Sequence, residues 1–178
     1  MALTRRNLLN QAASGAALGV LGTMGVKMAE AQTDQKDPRQ TTFELHPVGT
    51  VQKKGAETIL RIFDKYAGAL KGLEGFSHVW VFWWFDRNDR PEKRGILQVH
   101  PRGDQKNPLT GVFACRSPVR PNLIALTLCK VRSATGNAVE VEGIDAFDGT
   151  PILDLKPYIP SIDAPKDAPG LPDWLKRK

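Results

Sequence analysis

The run FSHVWVFWWF, Phe76 to Phe85, holds three of the four tryptophans and is aromatic or β-branched almost throughout. Side chains of this kind lose rotamer freedom on a helix and pack well on a pleated surface. A half-solvated strand would place a polar residue at every second position. This run does not, so it predicts a central core strand covered on both faces. A base-stacking platform would set its aromatics beside basic residues, and a buried interface between two copies is the intermediate reading.

The rest of the chain divides into short segments of the same kind. FELHPVGTVQ suits a first strand, with Pro47 at its edge. In AETILRIFDKY a second strand runs from about Glu57 to Phe63, although Ile59, Leu60, Ile62 and Phe63 would equally suit a short helix. ALKGLEG reads as a helical turn stopped by Gly72 and Gly75. DRNDRPEKRG is a charged connection, ILQVH a strand and PRGDQKNPLTG a turn-rich link. LIALTLCKV, NAVEVEGIDAF and PILDLKPYI add three strands, the middle one alternating at Val139, Glu140, Val141 and Glu142. No long amphipathic helix appears, which predicts a mainly β fold: a single barrel-like domain of coiled antiparallel sheet. A chain of 178 residues, 41% hydrophobic, supports one such core and not two large ones.

The N-terminus has a different grammar. Arg5 and Arg6 follow Thr4, then come Leu8 and Leu9, an Ala/Gly-rich run from Ala12 to Val26, and Ala29-Glu30-Ala31 as a cleavage site. That order predicts a twin-arginine export signal over residues 1–31, a periplasmic destination and the twin-arginine machinery as a partner. The run is too short and glycine-rich for a stable membrane anchor. Residues 32–42 are then a flexible linker, 43–165 the β-barrel domain and 166–178 a C-terminal tail ending in a basic cluster. The formal charge of +6 favours anionic partners, and Arg5, Arg6 and Lys27 of the leader supply part of it.

If Gly111–Cys115 and Leu123–Val131 form a hairpin, Cys115 lies beside its turn and Cys129 several residues up the opposite strand, beyond disulfide reach. Two buried free thiols are expected. His46, His78 and His100 have no metal-ligand spacing, so they read as ordinary structural or surface histidines with no metal site.

Nucleotide-binding glycine loops and the nucleophile elbow are absent. Two stiff turns remain. In GVFACRSPVRPN, Pro118 and Pro121 fix φ, so Arg116 and Arg120 are presented with less entropy left to lose on binding. Guanidinium forks suit carboxylate or phosphate. In DGTP, Asp148 can cap its own turn, Gly149 permits positive φ, and Thr150 offers a hydroxyl before Pro151. By residue type alone, both stay open as ligand-binding turns or as rigid hairpin turns with solvated arginines.

GLEGFSHVWVFWWF, HPRGDQKNPLTGVFACRSPVRPN and DGTPILDLKPYIPSIDA together resemble the TrmO/TsaA-like (YaeB-like) family, in family order and spacing from about His46 to Ala164. The resemblance implies an all-β, barrel-like homodimer that binds S-adenosyl-L-methionine without a Rossmann domain. It also implies tRNA as partner, with methylation of the exocyclic amine of threonylcarbamoyl-adenosine beside the anticodon. On this resemblance the cofactor lies near Asp86, Arg87, Arg116, Leu126 and the turn Asp148, Gly149, Thr150 and Pro151, with Arg120 and Asn122 bordering it on the substrate side. No catalytic residue is assigned, because no general base is evident and transfer from a sulfonium depends more on proximity and alignment.

The chain departs from the family pattern at Leu123 and Ala125, where RPNPIGL is common, at Asp86, usually histidine, and at Cys115, usually threonine. These departures keep two alternatives open. One is an exported small-molecule-binding protein that retains the pocket without methyl transfer. The other is a dimeric structural or interaction module that uses the aromatic strand as its seam.

Overall fold

The computed structural model describes residues 42–176; the expected export leader and residues 32–41 of the linker lie outside them. Eight strands occur among the described residues: β1 (Gly49–Lys54), β2 (Glu57–Ile62), β3 (His78–Trp84), β4 (Gln98–Val99), β5 (Thr110–Gly111), β6 (Ile124–Thr135), β7 (Ala138–Glu142) and β8 (Pro151–Pro157). Six of them close an antiparallel barrel in the order β1-β2-β7-β6-β3-β8, while β4 and β5 pair separately. The fold is therefore mainly β and barrel-like, as the strand pattern predicts.

Register explains the core. Leu60 faces Val51 on one side and Val139 on the other, and all three are fully buried. That pairing settles the Glu57–Phe63 ambiguity as a strand, because a helix there would leave β1 and β7 without their shared neighbour. β1 meets β8 over only two residue pairs, Gly49 with Ile152 and Thr50 with Pro151. On the β2 side of β1, a Cβ on Gly49 would overlap the Arg61 carbonyl, so only glycine fits.

The aromatic strand differs from expectation. In β3 only Val79, Val81 and Trp83 are buried, whereas His78, Trp80, Phe82 and Trp84 are half-exposed on the outer face. The two-residue period is present but hidden, because the outward positions are also aromatic. Partners cover that face in part: Tyr158 stands edge-on to Trp80 at 6.1 Å, Lys156 lies over Phe82 at 5.7 Å and Arg94 over Trp84 at 5.2 Å. Opposite β3, the register skips one β8 residue between Phe82–Asp154 and Trp83–Ile152, a bulge at Leu153.

The expected hairpin between Gly111–Cys115 and Leu123–Val131 does not form. Gly111 pairs with Gln98 of β4, and Val112–Ala114 then coil into a 3₁₀ turn, while β6 pairs with β3 and β7. Both cysteines are free: Cys129 is buried as expected, whereas Cys115 is only half-buried because its segment belongs to a loop. NAVEVEGIDAF also ends early as a strand. Beyond Glu142, Gly143 takes φ +93° and the chain leaves the sheet. DRNDRPEKRG folds into a 3₁₀ turn at Asp86–Asn88 and a one-turn helix, α1 (Pro91–Arg94); ILQVH contracts to β4. Two further single turns, α2 (Pro160–Asp163) and α3 (Asp173–Lys176), follow the barrel.

Candidate functional site

The exit of β3 and the start of β6 are tied together by the Phe85 N–H, which donates to the Leu123 carbonyl at 2.9 Å. A second tie comes from α1. Arg94 donates to Asp89 through Nε at 2.9 Å, forms an ion pair with it at 2.8 Å, and donates to the Pro121 carbonyl at 3.1 Å. Asp89 also accepts the Trp84 indole N–H at 3.1 Å. The Arg94 hydrogen bond, helped by that of Trp84, holds the Asp89 carboxyl below its usual value. The arginine loop is thus fastened to the end of the aromatic strand.

Within the loop, the two arginines have different employment. Arg120 donates to the Val112 carbonyl at 3.2 Å and so braces the loop against its own beginning. Arg116 is exposed, and among the described residues no hydrogen bond or ion pair engages its guanidinium. It lies in the wall of a cavity of about 670 Å³ beside Arg120, Asn122 and Leu126, with Trp83, Phe85 and Phe113 as aromatic surfaces and Asp145 as the acidic member. Trp83 is fixed there by its indole N–H, which donates to Thr127 Oγ1 at 3.1 Å.

A smaller compartment of about 290 Å³ shares Trp83, Phe85, Arg116 and Asp145 and adds Asp86, Arg87 and Phe147. The Arg87 guanidinium stacks on Phe147 at 3.6 Å. The sequence-predicted residues therefore fall into three groups. Arg116, Arg120, Asn122 and Leu126 share the larger cavity, and Asp86 and Arg87 join Arg116 in the smaller. The turn Asp148–Pro151 lines neither.

That turn instead joins β8 to β1. Asp148 accepts the Lys53 N–H at 2.8 Å, the Gly149 N–H donates to Val51 at 2.8 Å, and the Thr150 carbonyl accepts from Val51 at 2.9 Å. Thr150 is buried, and its Oγ1 has no partner among the described residues. Only Phe147, immediately before the turn, reaches the compartments.

Sequence reasoning missed Trp83, Phe85, Phe113 and Asp145 as wall residues. For Asp145 a signal was present in Gly143, a glycine that ends an alternating strand and sets the next residues free of the sheet. Of the departures from the family pattern, Ala125 stands in the wall of the larger cavity, whereas Leu123 is fully buried.

Residues 31–164 match the family model for the tRNA-methyltransferase O N-terminal domain. The chain belongs to this family. It is 44% identical over 124 residues to a probable S-adenosyl-L-methionine-binding protein of Methanocaldococcus jannaschii, covering 70% of this chain and 98% of that one. It is also 44% identical over 107 residues to the human tRNA (adenine(37)-N6)-methyltransferase, covering 60% of this chain and 24% of that protein. A crystal structure of TrmO superposes with a TM-score of 0.56 at 31% identity, over 73% of this chain and 64% of that chain. TrmO from Pseudomonas aeruginosa gives 0.55 at 29%, over 72% and 62%. The chain thus spans somewhat under two thirds of these solved TrmO chains, and the TrmO-type match encloses every residue of both compartments.

Proposed function

We propose that this protein is an S-adenosyl-L-methionine-dependent methyltransferase acting on tRNA at N6 of adenosine 37, with threonylcarbamoyl-adenosine as the substrate form. Relatives named for S-adenosyl-L-methionine binding and for tRNA (adenine(37)-N6) methylation support the reaction class. The observation that carries the site is Arg116, unengaged in the wall common to both compartments, with Asp145 and three aromatic side chains around the same space. This donor set fits a ligand bearing a carboxylate, cationic centres and a flat purine.

In this reading Arg116 holds the carboxylate through its fork. Asp145 offsets the ammonium and sulfonium charge, and Trp83, Phe85 and Phe113 supply flat apolar walls that exclude water. When bound, the cofactor supplies a methyl group activated by positive sulfur. Arg120 and Asn122 stand beside Arg116 in the larger cavity, and the Arg94 clamp keeps the loop in register with the β3 exit. The half-exposed outer aromatics Trp80, Phe82 and Trp84 support a homodimer seam. The Arg5-Arg6 leader supports export of the folded protein, with tRNA methylation preceding it.

A second reading has its own support. The archaeal relatives matched over nearly their whole length are named only for binding, among them one of Archaeoglobus fulgidus at 33% identity, 85% of this chain and 97% of that one. The named methyltransferase is matched over 24%. That contrast supports a binding protein without transfer, which the Arg5-Arg6 leader would make an exported one. Calorimetric titration of the full chain with S-adenosyl-L-methionine, wild type beside Arg116→Ala, followed by methyl-label transfer to bulk tRNA, separates the two. Binding that weakens in the variant, together with labelled tRNA, is the result expected. Binding without label selects the second reading, and a folded wild type that binds nothing refutes the site.

A further inference from the structure

Arg116 also walls a third space, of about 890 Å³, on the far side of its loop. The floor and sides of this cavity come from elements outside the barrel: Val99 of β4, His100 and Arg102 after it, Cys115 and Ser117 of the arginine loop, and Trp174 of α3. Its apolar surfaces suit the flat face of a base, while Gln98 and Gln105 offer amide edges. Arg102 takes φ +62°, the one positive value outside glycine among the described residues, so the surrounding turn holds it against its own preference.

His100 is the member whose chemistry is set. Its Nδ1 lies 2.7 Å from the Asn107 carbonyl, and Asn107 in turn donates its side-chain amide to the Pro101 carbonyl at 2.9 Å. A carbonyl oxygen can only accept, so Nδ1 is the donor of this bond, and in the neutral ring the lone pair is on Nε2. The other charged or titratable groups in the wall are Arg102, Cys115 and Arg116.

We infer that this third cavity receives the acceptor base, an adenine amine in RNA, and that His100 Nε2 takes the proton released at that amine. The inference rests on the methyltransferase reading above. In the step, the amine nitrogen forms the new bond to the methyl carbon and the carbon–sulfur bond breaks with its electron pair passing to sulfur. The amine proton moves to His100 Nε2 and from there to solvent. Arg116 lines both the donor and the acceptor space, so the two adjoin at this residue.

The substitution His100→Asn tests the role, because its amide can still donate to the Asn107 carbonyl but offers no basic nitrogen. In full-chain protein, His100→Asn should keep the wild-type unfolding midpoint and S-adenosyl-L-methionine affinity while kcat for bulk tRNA falls about 10²-fold or more. Gln105→Trp, at an exposed wall position, tests the cavity. It should weaken binding of a transcribed tRNA anticodon stem–loop about tenfold without moving cofactor affinity.

An active wild type with His100→Asn unimpaired, or with stem–loop binding unchanged in Gln105→Trp, overturns this inference and leaves the donor site standing. A wild type that binds the cofactor but transfers nothing overturns it together with the function it rests on. If His100→Asn lowers the unfolding midpoint and kcat together, the histidine is structural and the proton-acceptor role is wrong.

Discussion

The two stiff turns, GVFACRSPVRPN and DGTP, look alike as sequence and differ in what the fold does with them. At Asp148–Pro151 each backbone and carboxylate group described is committed: to Lys53, to Val51, and to the β1–β8 seam. In the arginine loop the bracing is done by Arg94 and Arg120, and among the described residues Arg116 is left without a partner in the walls of three cavities. Proline and glycine announce rigidity in both places. Whether rigidity serves closure of the barrel or presentation of a charge depends on whether a charged side chain remains unspent.

The sharpest way to break that contrast is at Gly149, which holds φ +80° inside the seam. Gly149→Val forces a β-branched residue into a conformation it resists, and should lower unfolding free energy in urea by about 1–3 kcal/mol. Arg116→Ala should change it by no more than about 0.5 kcal/mol, since no described contact is lost. Equal losses would mean that both turns are structural.

Next in size is Asp148→Ala, which removes the acceptor of the Lys53 N–H and should cost about 0.5–1.5 kcal/mol by the same measurement. Cofactor affinity, measured where the variant is fully folded, should stay at the wild-type value. A selective loss of affinity would move this turn from the seam into the site.

Asp89→Asn should weaken the clamp on the arginine loop in a pH-dependent way. The Asp89 carboxyl is held below the ordinary 3.8, so its contribution is present above that value and fades as pH falls through its lowered folded-state value. The difference in stability between Asp89→Asn and wild type should accordingly shrink on acidification. A difference that persists at low pH would place the effect elsewhere.

The smallest effect concerns the thiols. Burial, with Asp145 nearby, pushes Cys129 up to about 12. Its neutral form therefore supports the fold below the ordinary 9.0, and that support is lost as pH rises from there toward 12. At neutral pH a thiol reagent should label Cys115 of the loop and spare Cys129 until the protein unfolds; labelling of both at one rate would contradict this packing.

The barrel was legible because its strands are short runs of branched and aromatic residues separated by turn chemistry, as in β6, β7 and β8. Two features were not. The outward face of β3 carries aromatics where a solvated strand would carry polar residues, so one-sided burial read as two-sided. The Gly111–Cys115 segment sits before a proline turn as a hairpin arm would, yet its partner, Gln98, lies across a charged connection whose length says nothing about pairing. Of the site, the arginine loop and the β3 exit could be found from residue types. Asp145 could be found only by reading Gly143 as the point where the chain leaves the sheet, and His100 became more than a stray histidine only beside Asn107.

The tryptophans give this arrangement an optical consequence. Trp83 stands in the wall of both compartments at the barrel end, and Trp174 in the wall of the cavity beyond Arg116, while Trp80 and Trp84 occupy the outer face. Each side of Arg116 thus carries its own indole. With Trp80 and Trp84 replaced by phenylalanine, the remaining pair of fluorophores would report separately on the space at Trp83 and the space at Trp174.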